Sequence, residues 1–336
     1  MTGTLPKPHM PSLAESLQEV AGLRPAEALA RLAPGRLDVP FPARGETRRR
    51  FAALELLGAF DLSLARLAEG HLDALAILDE ARHDAPEGLL GVWAAGPIET
   101  LRASRTSTGW RLEGVRRWCS GAPDLTYALV RAATESDERL FLVATSAEGF
   151  EPIDGSWPAI GMAASATLDV RFAGVVLPED AQVGPPGFYL ERPGFWFGGA
   201  GVAAVWLGGT QAVARLLIQR AGDDPHRLAH LGWVTSRLAA LHAFLDAVAD
   251  RIDAADRSPI GIERLARMLR AEVAEAAASV LDRTGRATGA GPLSHDRDHA
   301  QRVADLEVYI RQSHAEADLE AIGRLERALA SGPAGR

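Results

Sequence analysis

Residues 109–122 have the sequence GWRLEGVRRWCSGA, and this stretch gives the strongest indication of the fold. Apolar and polar side chains alternate from Trp110 onward, and Glu113-Gly114 is typical of a tight turn, so the segment predicts a short antiparallel hairpin. Trp118 and Ser120 are two positions apart and are therefore expected on the same face of a strand. Such a face places an aromatic surface beside a small hydrogen-bonding group, which suits a planar heterocycle. An ordinary strand with a core Trp and an exposed Ser is the alternative interpretation.

This stretch resembles the segment of the acyl-CoA dehydrogenase superfamily that covers the flavin ring. Residues 161–178 are similar to the superfamily's Gly-x-x-x-Ser-x-Thr motif and to the Phe-x-x-Val-x-Val-Pro strand that follows it. Residues 61–75 resemble the helix that precedes the β-domain, and residues 286–298 resemble the Gly-rich turn and Arg-Asp pair before the last helices. These pieces occur in the superfamily's order.

The spacing of apolar residues divides the chain into three regions. Helical patterns over residues 12–32 and 47–82 predict an N-terminal helical domain, residues 1–88. Short apolar runs separated by Gly, Pro and Asp predict a small central antiparallel β-domain, residues 89–190. Four long helical patterns then predict a C-terminal four-helix bundle, residues 191–336. This order indicates the α+β class, with the acyl-CoA dehydrogenase-like architecture that the resemblance implies.

The predicted strands and bundle helices have defined limits. The strands are expected at residues 110–112, 127–132, 140–144, 168–172 and 175–176. The bundle helices are expected at residues 198–221, 227–254, 259–284 and 297–329. Gly and Pro residues separate these helices, since Gly ends helices and Pro is tolerated in a first turn.

Composition and charge exclude several functional classes. The 336 residues are 47% hydrophobic and 24% charged, as in ordinary globular proteins. A net charge of −8 argues against a nucleic-acid partner, because phosphate contacts require clustered basic groups. The single lysine, Lys7, lies in a Pro-rich tail. Pyridoxal Schiff-base, P-loop and kinase chemistry are therefore excluded, since each needs a positioned amine.

Cysteine usage and hydropathy predict a cytoplasmic protein. Cys119 is the only cysteine, so an intramolecular disulfide is impossible and a reducing compartment is expected. The N-terminus lacks the pattern of a signal peptide, and no run of 18 or more apolar residues occurs. We therefore expect no membrane partner.

The resemblance implies which residues contact a flavin. In the superfamily, the Trp packs on the flavin and the hydroxyl two residues later bonds flavin N5 or O4, which assigns these roles to Trp118 and Ser120. A donor at that place stabilises the negative charge that develops on the ring as a hydride arrives. Arg116 and Arg117 are interpreted as surface residues of the strand.

Departures from the superfamily pattern bear on the rest of the cofactor site. Residues 92–97 replace the usual Thr-Glu-Pro-x-x-Gly-Ser-Asp, and Trp93 within them is taken as a further cofactor contact. Ala163 replaces the usual Arg of Gly-x-Arg-x-Ser. The Arg and Gln that hold the neighbouring subunit's dinucleotide phosphates have no clear match. Thr288 and Gly289, in the Gly-rich turn, are the remaining predicted contacts to FAD.

Two residues are candidates for acid–base chemistry. Dehydrogenases of the superfamily remove the proton α to a thioester with a carboxylate before Gly-Thr, and no Glu-Gly-Thr occurs here. Glu307 is the closest candidate by position, ahead of Asp305, although a solvent-facing Glu is the alternative. Some flavin monooxygenases on this fold place histidines near N5 and C4a, and His71 is the corresponding candidate. Its alternative is a helix cap or a partner of a carbonyl group.

Metal binding is not expected. The pairs His226/His230 and His295/His299 have i, i+4 spacing, which suits a metal on a helix. No carboxylate-rich sequence or Glu-x-x-His pattern accompanies them, so the prediction is that the protein has no metal site. His299 and His314 are expected at the surface or an interface.

Three functional hypotheses follow. The leading one is a cytoplasmic FAD-dependent oxidoreductase that oxidises an acyl thioester or a related small molecule. Acyl-CoA is the thioester that the resemblance implies. The second is a flavin-dependent monooxygenase on the same fold, and the third is a degenerate non-catalytic paralogue that serves as a subunit or binding module. The resemblance also implies a homodimer or homotetramer formed through the C-terminal bundle. The helices predicted at residues 198–221 and 259–284 have apolar faces that are compatible with such an interface.

Overall fold

The computed structural model describes residues 12–331, so Lys7 lies outside the described range. Helices occupy both ends of this range and one β-sheet lies between them, which is an α+β arrangement. The helices are α1 Leu13–Glu19, α2 Pro25–Leu32, α3 Thr47–Phe60, α4 Leu62–Ala81, α5 Phe188–Glu191, α6 Gly194–Arg220, α7 Pro225–Asp253, α8 Pro259–Thr288, α9 Gly291–His295, α10 Arg297–Tyr309 and α11 Glu316–Ser331.

The long helical pattern of the N-terminal region divides at Asp61. The extended backbone of Asp61 (φ −157°) ends α3, and its carboxylate then accepts the N–H of Leu64 at 2.7 Å and caps the start of α4. Helix α4 ends at Arg82, which adopts a left-handed conformation (φ 54°). Because α4 packs against strand β1 on one side and α6 on another, it borders both the sheet and the helical core.

The sheet is mixed rather than purely antiparallel. Its strands are β1 Leu90–Trp93, β2 Leu101–Thr106, β3 Gly109–Cys119, β4 Tyr127–Ala133, β5 Glu138–Ala144, β6 Phe150–Ile153, β7 Leu168–Pro178 and β8 Gln182–Val183. Their order is β6-β7-β3-β2-β4-β5-β8, with β1 pairing to β4. The pairings β1–β4 and β2–β4 are parallel, and the others are antiparallel.

The predicted turn at Glu113-Gly114 is wrong. Strand β3 runs through this point, and the register against β7 shifts between Leu112 and Glu113, as in a β-bulge. Gly114 is needed because its backbone has φ 129° and a Cβ there would lie 2.3 Å from the carbonyl oxygen of Thr100. The hairpin turn lies earlier, between Thr106 and Gly109, where β2 and β3 pair.

Three of the four predicted bundle helices are present as α6, α7 and α8, but the fourth is not a single helix. The predicted helix 297–329 is divided into α10 and α11 by a 3-10 turn at Ile310–Gln312. The chain turns here with Tyr309 and Ile310 buried in the core, and the Asp318 carboxylate accepts the N–H of His314 at 3.2 Å.

Helix α6 is the central helix of the molecule and packs against α3, α4, α7, α8 and α10. Close approach depends on glycine, since a Cβ at Gly208 would lie 1.9 Å from the carbonyl oxygen of Glu55. The helix is long and apolar enough to span a membrane, but 83% of its most apolar 18-residue stretch is buried inside the protein. The apolar face expected for a partner subunit at residues 198–221 is therefore mostly buried within the chain itself.

Candidate functional site

The candidate site lies where the end of β3 meets α4, and Trp118 is its most exposed aromatic residue. The register of β3 against β7 breaks between Arg116 and Cys119, and Trp118 adopts a left-handed backbone conformation with φ 60°. Its side chain is 48% exposed, although Cys119 beside it is fully buried. A non-glycine residue in this conformation costs about 1–3 kcal/mol, so the surrounding structure must fix it.

The expectation that Trp118 and Ser120 share one face of a strand is wrong in its geometry. Ser120 follows the last residue of β3 and is buried, whereas Trp118 faces solvent. The irregular backbone at Trp118 interrupts the alternation on which the expectation depended. The two side chains nevertheless flank the same strand end.

Three hydroxyl groups form a chain that ends at Ser120. The Ser165 Oγ lies 2.7 Å from the Thr167 Oγ1 and 2.7 Å from the carbonyl oxygen of Met162. Because the Thr167 hydrogen goes to Ser120, the Ser165 hydrogen goes to Thr167, and the Met162 carbonyl accepts the Trp157 Nε1–H at 3.0 Å. The Thr167 hydroxyl donates to the Ser120 Oγ at 3.0 Å. Because each hydroxyl has one hydrogen, this direction leaves the hydrogen of Ser120 available for another acceptor. The Gly-x-x-x-Ser-x-Thr stretch thus supplies the groups that orient Ser120.

Trp93, predicted to contact the cofactor, lies beneath the site. It is buried, stacks on Phe150 with ring centroids 5.8 Å apart, and donates from Nε1 to the carbonyl oxygen of Ser120 at 3.0 Å. Its ring therefore packs in the core of the sheet. This position indicates a supporting role for Trp93 and not a surface on which a flavin stacks.

The prediction that Arg116 is a surface residue is wrong. Its guanidinium is fully buried and donates to the carbonyl oxygens of Ala95 at 3.1 Å, Pro97 at 3.2 Å and Arg131. Burial lowers the pKa of Arg116 to about 10, so the group is still charged at neutral pH. Its neighbour Arg117 is exposed, as expected.

The turn formed by residues 94–97, to which Arg116 donates, also supports the exposed indole of Trp118. Arg131 donates to the carbonyl oxygen of Ala94 at 3.3 Å, so two guanidinium groups bind this turn. A Cβ at Gly96 would lie 3.2 Å from Cζ3 of Trp118, which shows that the turn approaches the ring closely. The side chain of Asp169 accepts the N–H of Trp118 at 3.3 Å from the other side.

A small cavity of about 10 Å³ separates Ser120 from α4. Among the residues that line it are Arg66, Gly70, Gly91, Trp93 and Ser120. The Nε of Arg66 is buried without a hydrogen-bond partner, and its Nη1 donates to Glu69 at 2.7 Å. One charged side chain of α4 thus lines the same cavity as Ser120.

Further charged groups lie on the buried face of α4. The Tyr309 hydroxyl donates to Glu69 Oε2 at 3.2 Å, and Arg50 donates to Asp73 Oδ1 at 2.7 Å. Burial raises the pKa of the Glu69 carboxyl; the Arg66 charge opposes this shift, and the nearby Asp73 adds to it. Burial also raises the pKa of Tyr309 well above its usual value, so its hydroxyl keeps its proton.

His71 comes two residues after Glu69 and therefore lies on the other side of α4, where it contacts the sheet. Its Nδ1 accepts the N–H of Leu90 at 3.1 Å, which fixes the neutral tautomer with hydrogen on Nε2. Burial lowers the pKa of His71, in agreement with a neutral ring. The contact joins α4 to the start of β1, and it favours a structural role over the predicted acid–base role.

The second predicted catalytic residue, Glu307, lies away from the site. Its side chain is exposed and pairs with Arg311 at 3.0 Å, one helical turn later. Asp305, the weaker candidate, is buried, and its Oδ1 accepts the N–H of Met162 at 2.5 Å and the amide of Gln301 at 2.8 Å. These positions do not support a role as catalytic base for either residue.

Thr288 and Gly289 end α8 in another part of the bundle. The Thr288 hydroxyl donates to the carbonyl oxygen of Thr284 at 2.8 Å, and Gly289 is exposed with φ 72°.

A larger cavity, of about 120 Å³, lies between the α3–α4 junction, α6 and α10 and is lined by Asp61, Arg302 and Asp305 among others. Over residues 12–331, no three His, Cys, Asp or Glu side chains are grouped as a metal site. His314 is exposed, but His299 is buried, contrary to expectation.

The charged face of α4 and the burial of Arg116 were not predicted from the sequence. Arg66, Glu69 and Asp73 are spaced as i, i+3 and i+7, which places them on one side of a helix. Leucine and alanine flank these three residues in the sequence, and this composition indicates that the helix is buried on the side that carries the charges. Tyr309 was noted only as a neighbour of Glu307.

The chain has the acyl-CoA dehydrogenase fold, which flavin enzymes share. No family model matches the sequence, and no curated protein matches it either. Solved structures match over nearly the whole chain. The dibenzothiophene monooxygenase TdsC from Paenibacillus sp. A11-2, in complex with FMN and indole, matches with a TM-score of 0.79 and 17% identity, over 93% of this chain and 94% of that one.

Two other structures are about equally similar. A glutaryl-CoA dehydrogenase from Mycobacterium smegmatis in complex with FADH2 has a TM-score of 0.78 and 17% identity, over 96% of this chain and 94% of that one. A nitrososynthase from Micromonospora carbonacea var. africana has a TM-score of 0.78 and 20% identity, over 96% and 93% of the two chains. At such identities the likeness establishes the fold, and the activity has to be argued from the site.

Proposed function

We propose that the protein is a flavin-dependent oxidoreductase whose flavin ring lies against Trp118 and accepts a hydrogen bond from Ser120. The observation that carries this proposal is the exposed indole of Trp118, held in a strained backbone conformation beside a hydroxyl with an unused hydrogen. Trp118 is the one aromatic residue among the exposed large apolar side chains of residues 12–331.

The residues at the site fit a flavin ring. The indole offers a flat apolar face, and Ser120 offers one donor, since its oxygen accepts the hydrogen of Thr167. The buried Nε of Arg66 is a second donor without a partner in the structure. A bound flavin supplies the capacity to accept two electrons, and a donor fixed in place stabilises the charge that this transfer creates.

FAD is the flavin that we propose, following the resemblance in the sequence. FMN is the alternative, because TdsC was solved with FMN and the glutaryl-CoA dehydrogenase with FADH2. The two differ by an adenylate, for which Thr288 and Gly289 are the proposed contacts, in the assembled oligomer. Affinities for FAD and FMN, measured side by side, distinguish the two.

The reaction class is either oxidation of an acyl thioester or oxygenation of a small molecule. The second is favoured by the position of Glu307, the predicted base for a thioester, which is exposed and paired with Arg311. Anaerobic bleaching by butyryl-CoA supports a dehydrogenase. A loaded protein that butyryl-CoA fails to bleach supports the monooxygenase.

A non-catalytic flavin-fold subunit is the third candidate. The two cavities described above measure about 120 and 10 Å³, which is small beside the roughly 300–1,000 Å³ of typical ligand pockets. Purified protein that stays colourless and ignores added FAD and FMN supports this candidate and contradicts the enzyme proposals.

We also infer a cytoplasmic homodimer or homotetramer that contacts its copies through the C-terminal helices. Ile218 at the end of α6, Leu228 in α7 and Leu293 in α9 are exposed apolar side chains in this region. Light scattering coupled to size-exclusion chromatography measures the assembly, and a monomer at micromolar concentration would contradict the inference.

The experiment that tests the flavin site compares Ser120→Ala with Ser104→Ala. Ser104 is an exposed serine of β2 on the same sheet, so its variant controls for loss of a hydroxyl. We expect Ser120→Ala to weaken flavin binding about tenfold, the effect of losing one hydrogen bond to a group that gains charge. Flavin affinity and absorbance unchanged in Ser120→Ala would argue against the proposed site.

A further inference from the structure

The larger cavity, of about 120 Å³, has an apolar side and a polar side. Phe60 at the α3–α4 junction and Ala212 on α6 belong to the apolar side. The polar side is one face of α10, with residues at positions i, i+3, i+4 and i+7: Asp298, Gln301, Arg302 and Asp305. Since an engineered cavity of roughly 150 Å³ binds benzene, this volume suits a ligand of about that size.

Three carboxylates line this cavity without a cationic partner. They belong to Asp61, Asp298 and Asp305, and no ion pair joins any of them to another of residues 12–331. Arg302 also lines the cavity, but its Nη1 donates to the carbonyl oxygens of Ala59 at 2.9 Å and Phe60 at 3.2 Å. The lining therefore holds three acidic groups and one basic group, and it favours a ligand with positive charge.

Asp305 is the most buried of the three acidic residues, at 8% exposed. Its Oδ1 accepts the N–H of Met162 at 2.5 Å and the amide of Gln301 at 2.8 Å, whereas its Oδ2 accepts no hydrogen bond from the described part of the chain. Burial raises the pKa of the Asp305 carboxyl, the Met162 N–H and Gln301 oppose this shift, and Asp61 adds to it. One oxygen of a buried carboxylate thus lacks a donor, which is unfavourable unless a ligand supplies one.

The other acceptors at the cavity are spread out, which does not suit a metal ion. A single ion needs oxygen ligands at about 2–2.6 Å from one point. No three His, Cys, Asp or Glu side chains within residues 12–331 are grouped in that way. Gln301 donates its amide to Asp305, and its own oxygen accepts no hydrogen bond from these residues. Acceptors on α10 and at the α3–α4 junction suit an organic cation with several N–H donors.

We propose that this cavity binds a small primary amine, in its ammonium form, that carries an apolar ring. The ammonium group donates to Oδ2 of Asp305, and the ring packs against Phe60 and Ala212. Water supplies a donor but no charge, and it leaves the apolar side poorly solvated. The inference does not depend on the proposed flavin, because the residues that line this cavity are all different from those that line the cavity at Ser120.

The test uses benzylamine as the probe and the full chain without flavin. Isothermal titration calorimetry at pH 7.5, where the amine is protonated, measures its affinity. Benzyl alcohol has the same size and no charge, so it is the matched ligand. We expect benzylamine to bind at least about tenfold more tightly than benzyl alcohol, because a hydrogen bond to a charged group is stronger than a neutral one.

Variants of the acidic residues locate the site. Asp305→Asn keeps an oxygen for the Met162 N–H and removes the charge, so we expect it to weaken benzylamine binding at least about tenfold. Asp253→Asn is the matched control, since Asp253 is a half-buried aspartate of α7 that accepts the N–H of Thr47 at 2.8 Å. We expect this control to bind benzylamine as the wild type does.

Thermal unfolding checks that each variant folds. If Asp305→Asn does not fold, Asp61→Asn takes its place, because Asn caps a helix as well as Asp does and the start of α4 is kept. Asp61→Asn must then weaken benzylamine binding at least about threefold, the effect of one nearby charge that is partly exposed to solvent.

Four results overturn the inference. They are no saturable binding of benzylamine up to about 10 mM, equal affinities for benzylamine and benzyl alcohol, unchanged affinity in a folded Asp305→Asn variant, and an equal loss of affinity in Asp253→Asn. Benzylamine binding that depends on Asp305 in a protein that binds no flavin supports the inference, although it contradicts the proposed function.

Discussion

The indole Nε1–H of Trp93 donates a hydrogen bond to the backbone carbonyl oxygen of Ser120 at 3.0 Å. The two tryptophans at the site therefore differ in role: Trp93 fixes the backbone after β3 from below, and Trp118 presents its ring to solvent. A buried residue that holds the backbone of a binding residue affects the site without touching a ligand.

Replacement of Trp93 by Phe tests this support. The carbonyl oxygen of Ser120 loses its donor while an aromatic ring remains, so we expect a loss of at least about 1 kcal/mol in the free energy of unfolding. Flavin affinity should fall as well. Urea denaturation and flavin titration measure the two effects, with Trp233→Phe as the control for a tryptophan far from the site; equal effects of both substitutions would contradict the role.

Gly96→Ala should disturb Trp118 more than a comparable glycine substitution elsewhere. Gly96 has φ 83°, and its added Cβ would lie 3.2 Å from the Trp118 ring. Gly155 has φ 72° with open space around it, so Gly155→Ala controls for the backbone penalty of roughly 1–2 kcal/mol. We expect only Gly96→Ala to shift the fluorescence of Trp118, and the same emission spectrum in both variants would exclude the contact.

His71 should make stability depend on pH. Burial lowers its pKa in the folded state, so the unfolded chain binds the proton more readily. Its contribution to stability is therefore complete above the unfolded pKa of about 6.5 and is lost as pH falls toward the lower folded pKa. We expect His71→Leu to be less stable than the wild type at pH 7.5, with a smaller difference at pH 5. Urea unfolding at both values measures this, and a constant difference would contradict a neutral, buried His71.

Arg116→Met removes a buried guanidinium that binds three carbonyl oxygens. Leaving these acceptors without donors should lower the free energy of unfolding by about 2 kcal/mol and weaken flavin binding through the 94–97 turn. Arg117→Met, on the exposed neighbour, should change stability by less than about 0.5 kcal/mol. Guanidinium denaturation of both variants provides the comparison.

Glu307→Gln should leave the protein unchanged. The Glu307 side chain is exposed and its ion pair with Arg311 lies on the surface, where such pairs contribute at most about 1 kcal/mol. Flavin affinity, turnover with any substrate found, and thermal stability are the measurements. A drop in turnover without loss of stability would restore Glu307 as a candidate base.

The order of elements could be predicted from the sequence, but details of the sheet could not. Helix periodicity in α4, α6 and α8 extends over several turns, and the change to short apolar runs marks the sheet. The strands β1, β6 and β8 are at most four residues long, which is too short for a clear period. The bulge at Gly114 has the same local residues as a turn, and only the pairing with β7 distinguishes them.

The candidate site was predictable in part. Trp118 and Ser120 were identified from a resemblance, and the structure places both at one strand end. Arg116 was expected at the surface, and its burial depends on carbonyl groups of a turn about twenty residues earlier in the chain, since a buried arginine needs partners. Likewise, Glu307 was expected from its position along the chain, whereas α10 buries Asp305, Leu306 and Tyr309 and leaves Glu307 exposed.

Helix α6 has a consequence for how the chain is made. One hydrophobic core contains residues of α2, α3 and α4 together with residues of α6, α7 and α8, while the sheet lies between them in sequence. During synthesis the first helices leave the ribosome more than a hundred residues before α6. Until α6 is made, their apolar faces remain exposed to solvent. Nascent chains that stall before about residue 220 should therefore bind chaperones, and release should follow emergence of α6.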